Sequence, residues 1–202
     1  STSSTLKGYG ASTPTGTWAS GGNLPVALSY GGQTGTQTAG FIFGGSSPAT
    51  PQFQTESFNY NGTAWTDASA DINSGRESAG AGGTSTSALF FAGSSKVTLT
   101  ETYDGSSWTE VGDLNTGRDN AGGTGTSTEF LFYGGINPPA GSGTANTEIF
   151  NGTSWTELNN MATARMYMYS GSATGSAGAG LAVGGSPKVV TVEEFTQGNV
   201  TV

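Results

Sequence analysis

Four tryptophans divide this chain into repeats of nearly constant length. Trp18, Trp65, Trp108 and Trp155 lie 47, 43 and 47 residues apart, a period typical of repeat proteins in which each copy is one small β-unit. A unit of this size is too thin to bury both of its faces alone, so neighbouring units have to stack. The spacing therefore predicts a row of similar β-units with a shared core between each pair.

The residues around three of the tryptophans indicate what each unit contains. Trp65, Trp108 and Trp155 end the segments Asn-Gly-Thr-Ala-Trp, Asp-Gly-Ser-Ser-Trp and Asn-Gly-Thr-Ser-Trp. An Asn-Gly or Asp-Gly pair between two alternating runs is the strongest short-range signal of a β-hairpin. A Thr-Glu pair precedes each hairpin, as Thr55-Glu56, Thr100-Glu101 and Thr147-Glu148. Each repeat is therefore predicted to contain a tight hairpin that ends on a tryptophan strand.

Other features follow each hairpin in a fixed order. An arginine lies ten or eleven residues after the tryptophan, at Arg76, Arg118 and Arg165. A strand of Gly, Ala, Ser and Thr comes next, followed by an apolar strand and a pair of small residues. These pairs are Gly44-Gly45, Ala92-Gly93, Gly134-Gly135 and Gly184-Gly185. Short apolar runs between glycine-rich breaks favour buried strands over helices.

This order of elements resembles the kelch repeat, in which a double glycine follows the second strand and an aromatic residue is followed later by a tryptophan. The resemblance implies an all-β fold, a β-propeller of about four kelch-like, four-stranded blades forming one domain over residues 1–202. The repeats span approximately residues 18–64, 65–107, 108–154 and 155–202, with residues 1–17 supplying an extra strand. Small-residue strands are expected nearest the central axis, and tryptophans over the outer part of each blade interface.

Both ends of the chain depart from the repeat. Leu28 stands where the first repeat should have its arginine, and Thr201 stands where the last should have its tryptophan. Kelch propellers usually have more blades, so the ring is either small, incomplete or completed by another chain. A surplus strand-like segment at residues 5–11 either closes the ring between the termini or adds to the sheet edge of a neighbouring subunit.

Composition excludes several classes of function. The formal charge is −8 with only six Lys and Arg, which argues against nucleic acid and anionic membranes, because both require clustered cations. No apolar run reaches the length of a membrane helix, so no membrane insertion is predicted. Cys and His are both absent, which removes Ser-His-Asp and Cys-His catalysis and ordinary zinc sites. We therefore predict no catalytic residues, no metal and no cofactor.

Residues that recur once per repeat are better explained by architecture than by a binding site. We predict that Arg76, Arg118 and Arg165 pair with glutamates such as Glu101 and Glu148 where adjacent units meet. Binding is expected where the repeats differ, because variable loops on a rigid scaffold carry most recognition. The two longest loops lie at residues 46–53 and 136–145.

The fourth repeat also differs in the strand that follows its arginine. It reads Met166-Tyr167-Met168-Tyr169, where the other repeats carry small or polar residues. Aromatic faces stack on sugar rings, so Tyr167 and Tyr169 are candidate ligand-binding residues. The alternative is that this segment fills the last junction between units.

Three asparagines fit the N-glycosylation pattern, namely Asn61, Asn151 and Asn199. An Asn-Gly pair is equally what a two-residue hairpin turn requires. For Asn61 and Asn151 the turn is a sufficient explanation, and the pattern at Asn199 has no such alternative.

Two classes of function remain. The first is a non-catalytic structural or binding module, extracellular or on a virion surface, such as a phage tail or fibre adhesin or a surface filament subunit. Its partners would be other virion or filament subunits in an oligomer and a cell-surface glycan. This class is favoured because the Gly/Ser/Thr-rich repeats resemble those in proteins of environmental phages. The alternative is a propeller enzyme, such as a glycosidase with two facing carboxylates. A kelch-type copper oxidase is disfavoured because it would need histidine ligands, and the sequence has no histidine. An intracellular kelch adaptor is disfavoured because it would need a partner domain, which this sequence lacks.

Overall fold

The protein is all-β. The computed structural model describes residues 16–137, 141–168, 175–188 and 190–198, and within these ranges the only helical element is a 3-10 turn, Ser94–Lys96. The first eight strands are β1 (Gly32–Thr36), β2 (Ala39–Phe43), β3 (Ser57–Tyr60), β4 (Trp65–Asp67), β5 (Gly80–Thr84), β6 (Ser87–Phe91), β7 (Thr100–Tyr103) and β8 (Trp108–Glu110). The next eight are β9 (Gly122–Gly125), β10 (Phe130–Tyr133), β11 (Ile136–Asn137), β12 (Ser142–Gly143), β13 (Thr147–Phe150), β14 (Trp155–Glu157), β15 (Ala179–Val183) and β16 (Val192–Thr196).

The strands form consecutive antiparallel sheets. The first sheet has the order β1-β2-β3-β4, the second β5-β6-β7-β8 and the third β9-β10-β13-β14, with the short β11-β12 hairpin between β10 and β13. The fourth sheet contains β15 and β16 among the described residues. Each complete sheet therefore ends on its tryptophan strand, in the order that the sequence predicts. The surplus segment at residues 5–11 and Thr201 lie outside the described residues.

Aromatic rings explain why the first strand of a sheet consists of small residues. Gly80 pairs with Phe91, and a Cβ on Gly80 would lie 2.4 Å from the tip of the Phe91 ring. Gly122 pairs with Tyr133 in the same way, with a Cβ 2.5 Å from that ring. Contacts this short do not occur between real atoms, so a larger residue would push the ring out of the core.

The Gly-Gly turn after the second strand of a sheet is hydrogen-bonded to the segment before the next sheet. Its second glycine, Gly45 in the first sheet and Gly135 in the third, has a φ of 96° or 102°, which residues with a side chain rarely adopt. The Gly45 N–H donates to the Arg76 carbonyl (2.9 Å), and the Gly135 N–H donates to the Arg165 carbonyl (2.8 Å). These bonds fix each turn against the segment that leads into the following sheet.

Successive sheets pack face to face. We call the face that meets the following sheet the front face and the opposite one the back face. On the front face of the first sheet, Phe41 and Phe43 pack against Phe90, Tyr103 and Trp108 on the back face of the second. The second junction buries Leu89, Phe91, Phe130, Phe132, Phe150 and Trp155, and the third buries Leu131, Tyr133, Met168, Ala177 and Ala182. Trp108 and Trp155 are thus buried in the first and second junctions, each on the last strand of its sheet.

Candidate functional site

The repeated arginines lie inside the junctions, as predicted. Arg76 is buried, and its guanidinium donates to Glu101 Oε1 (2.6 Å) and to the Phe90 carbonyl (2.9 Å) while lying over the Phe90 ring at 4.3 Å. The second oxygen of Glu101 accepts the backbone and side-chain N–H groups of Asn73 at 2.7 and 2.8 Å. Burial lowers the pKa of Arg76, and the hydrogen bond that Arg76 donates to Glu101 opposes this effect. The charged groups of Arg76 and Glu101 therefore bind each other and neighbouring residues of the fold.

The same arginine–glutamate ion pair recurs at the second and third junctions. Arg118, fully buried, pairs with Glu148 and lies over the Phe132 ring at 4.4 Å. Arg165 pairs with Glu193, which the sequence analysis did not single out. Glu193 lies two residues before Phe195, as Glu148 lies two residues before an aromatic residue, and this spacing could have identified it.

The first sheet has apolar residues at the positions of this arginine–glutamate ion pair. Glu101 pairs across its sheet with Phe90, whereas the residue that pairs with Ile42 in the first sheet is Phe58. Leu28 stands at the arginine position. The Thr55-Glu56 pair is therefore not equivalent to the other Thr-Glu pairs, because the hairpin that follows it begins two residues later.

A row of four residues crosses the ends of the sheets. Tyr30, Ser78, Asn120 and Tyr167 each lie two residues after the arginine position, and all four have a positive φ, between 52° and 57°. The Ser78 N–H donates to the Tyr30 carbonyl, and the Tyr167 N–H donates to the Asn120 carbonyl, both at 2.9 Å. We call these four residues the cross-sheet row. The four positions share a left-handed φ, whereas their side chains differ.

Two residues of the cross-sheet row are exposed aromatic residues. Tyr30 is 70% exposed and Tyr167 is 59% exposed, and Asn120 is also exposed. Beside the row lies a cavity of about 310 Å³ between the second and third sheets, with Tyr30, Ser78 and Asn120 in its lining. Its remaining walls come from small residues on or next to β5 and β9 and from phenylalanines such as Phe91. Both polar and apolar side chains therefore line the cavity.

The structure separates the candidates in the fourth repeat. Tyr167 is exposed, whereas Met168 is buried in the third junction, as the junction-filling alternative predicts for that residue. Tyr169 lies outside the described residues. Sequence reasoning missed Tyr30, although it stands at the same distance after Leu28 as Tyr167 does after Arg165.

The long loops are partly ordered by short pairings. Ser46 bridges to both Ser29 and Phe53, which closes the loop at residues 46–53 on itself. In the loop at residues 136–145, Ile136 pairs with Gly143 and Asn137 with Ser142. Pro138 and Pro139 lie outside the described residues.

The asparagines of two glycosylation patterns hold the hairpin turns. Asn61 Oδ1 accepts the N–H groups of Thr63 and Ala64 at 3.0 and 2.9 Å. Asn151 makes the same pair of bonds in the third sheet. The predicted turn role of both residues is confirmed, and Asn199 lies outside the described residues.

The equivalent turn in the second sheet yields a pH prediction. Asp104 accepts hydrogen bonds from Ser107 and Ser106, and these hold its pKa at about 2. Since this value lies below the ordinary 3.8, the turn is stabilised at higher pH and loses that contribution as the pH falls toward 2. We expect an NMR titration of the Asp104 carboxyl to show a midpoint near 2, while Asp71, raised mainly by burial, titrates above 3.8. A midpoint for Asp104 at or above 3.8 would contradict the turn geometry.

Comparisons with known proteins provide no family assignment. No family model matches the chain, and no curated protein matches it. Among the described residues, no three His, Cys, Asp or Glu side chains lie close enough to hold a metal ion. The same residues include no helix of the length and apolarity needed to cross a membrane.

Proposed function

We propose that the sheets are blades of a kelch-like β-propeller and that the chain is a non-catalytic structural and binding module of an extracellular or virion assembly. Support for the blades comes from the front-to-back packing of consecutive sheets, each ending on a tryptophan strand. Phage tail or fibre adhesins and surface filament subunits are the kinds of protein in which such a module would serve. Its location would be outside the cell or on the virion surface.

One observation carries the non-catalytic part of the proposal. Glu101 and Glu148, carboxylates in the core, have both oxygens hydrogen-bonded to architectural partners. A glycosidase needs two carboxylates that face each other across a substrate and remain free to exchange protons. Conversely, Tyr30, Asn120 and Tyr167 of the cross-sheet row, whose positions differ between repeats, lie exposed.

The proposed ligand is a neutral cell-surface glycan. Tyr30 and Tyr167 offer exposed aromatic faces, on which the C–H surfaces of sugar rings stack. Between them in the row, Asn120 offers an exposed amide that both donates and accepts hydrogen bonds to hydroxyl groups. The net charge of −8 disfavours acidic glycans.

A glycan array followed by calorimetry tests this function. We expect the protein to bind neutral glycans, and Tyr30→Ala or Tyr167→Ala to weaken the affinity by roughly tenfold or more, since each substitution removes one stacking face. Thr128→Ala, at an exposed hairpin position, is the matched control and should bind as the original protein does. Equal binding by all four proteins would reject the cross-sheet row as the site, and cleavage of a bound glycan would reject the non-catalytic assignment.

A further inference from the structure

The third junction contains a cavity where the second contains a tryptophan. This cavity has a volume of about 110 Å³, and its lining includes Tyr133, Thr147, Ala182 and Phe195. In the second junction, Trp155 packs against the rings of Phe91, Phe132 and Phe150 and donates its indole N–H to Thr100 Oγ1 at 2.9 Å. By strand register, the four lining residues are the counterparts of Phe91, Thr100, Phe132 and Phe150. The cavity therefore has the surroundings of a missing tryptophan.

Among the described residues no strand pairs with the outer edge of β16, which leaves this cavity open. In the second and third sheets, the side chains of Glu101 and Glu148 are 1% exposed, because an outer strand pairs beside them. The side chain of Glu193 in the fourth sheet is 24% exposed. No tryptophan follows Trp155 in the sequence, so residues 196–202 cannot supply one.

Trp18 is a tryptophan without a junction. Its side chain is fully exposed. Four residues later, a Cβ on Gly22 would meet the Thr63 carbonyl oxygen at 2.5 Å, as a Cβ on Gly112, four residues after Trp108, would meet the Thr153 oxygen at 2.8 Å. Trp108 lies on the outer strand of one sheet, and Gly112 reaches the hairpin of the next. By this comparison, Trp18 has the position that Trp108 has: it would lie on the outer strand of a sheet that precedes the first one.

The two end faces of the row of sheets are also uncovered. On the front face of the fourth sheet, Leu181 is 47% exposed, whereas its counterparts Phe41, Leu89 and Leu131 are completely buried. On the back face of the first sheet, Trp65 is only half-buried, whereas Trp108 is buried. These faces are of the same two kinds that meet at every internal junction.

We propose that a second copy of the chain stacks head to tail on the first, with its Trp18 filling the cavity of the third junction. The back face of its first sheet would cover Leu181, and its segment around Trp18 would pair with the outer edge of β16, which no described strand covers. In this structure Trp18 is fully exposed and does not occupy the cavity of its own chain, so the proposed occupant is the Trp18 of a second copy. Such a contact is heterologous and generates rings or filaments. This inference rests on the proposed structural role and names its partner.

Mixing two variants tests the contact. Trp18→Ala removes the inserted side chain but keeps the fourth-sheet surface, and Leu181→Glu places a charge on that surface but keeps Trp18. We expect sedimentation to show concentration-dependent oligomers for the original protein and a self-association weaker by about 30-fold or more for each variant. A 1:1 mixture should recover one intact contact and form heterodimers. Tyr167→Ala, which removes another exposed aromatic residue, should assemble as the original protein does.

The outcomes separate this inference from the proposed function. A 20.2 kDa monomer with Trp18 fluorescence typical of a buried indole would show closure within one chain and overturn the second-copy contact. A monomer with Trp18 in water, or oligomers unaffected by both variants, would overturn it as well. In each of these cases glycan binding by the cross-sheet row would still be measurable, so the proposed function would stand or fall on its own test.

Discussion

Replacing Arg118 by leucine is expected to lower the free energy of unfolding by about 3–5 kcal/mol. The substitution leaves Glu148 buried at the second junction with its charge uncompensated, and a buried carboxylate without a partner is far costlier than the ion pair itself. Urea denaturation followed by tryptophan fluorescence measures the effect. The first sheet suggests a control, because Leu28 and Phe58 there occupy the positions of the arginine and the glutamate.

The control is therefore the double variant Arg118→Leu/Glu148→Phe, which copies the pair found in the first sheet. We expect it to recover most of the lost stability, since a buried ion pair replaced by apolar residues is often neutral or stabilising. A loss below about 1 kcal/mol in the single variant would mean that the carboxylate reaches solvent. A double variant no better than the single one would show that the hydrogen bonds of Glu148 to Asn115 matter more than the charge.

Trp155→Ala is expected to cost about 3–5 kcal/mol of stability. The side chain is buried among three aromatic rings, and its indole N–H donates to Thr100 Oγ1, so the substitution leaves a cavity and removes the hydrogen bond that this hydroxyl accepts. Trp65→Ala is the matched variant, because Trp65 lies at the same place in the first sheet but is only half-buried. Its expected cost is about 1–2 kcal/mol, in proportion to the smaller apolar area that it buries.

Both tryptophan variants are best compared by thermal and urea unfolding at concentrations low enough to keep the protein monomeric. Equal costs at the two positions would mean that the first sheet has a covered back face in the monomer, as in a closed ring. A cost at Trp155 below about 1 kcal/mol would contradict the packing of the second junction.

Much of the fold follows from local sequence patterns. The Asn-Gly and Asp-Gly turns specify hairpins through their backbone preferences, and Asn61 and Asn151 carry out this role. The pairing of Arg76 with Glu101 was predictable because a residue repeated once per unit serves the unit. The local sequence gave a wrong alignment at Thr55-Glu56. Register depends on where the strands pair, and this dipeptide lies two residues before the position that Thr100-Glu101 occupies in its own sheet.

The candidate site was only partly predictable. Tyr167 stood out because its repeat differs from the others, whereas Tyr30 and Asn120 gained meaning only when the structure placed them in one row. Exposure of these side chains depends on how neighbouring sheets pack, and a sequence pattern carries little information about contacts between residues far apart in the chain. The cavity at the third junction was hidden for the same reason.

Local sequence specifies the repeating unit: its strand order, hairpin turns, glycine turns and buried ion pair all depend on interactions within one repeat or between adjacent repeats. Which faces remain open follows from long-range packing, because burial at Leu181 and at Trp65 depends on whether a further sheet lies against them. A repeat specifies how it stacks on its neighbour, but how the row of sheets ends is decided only by the packing of the whole assembly.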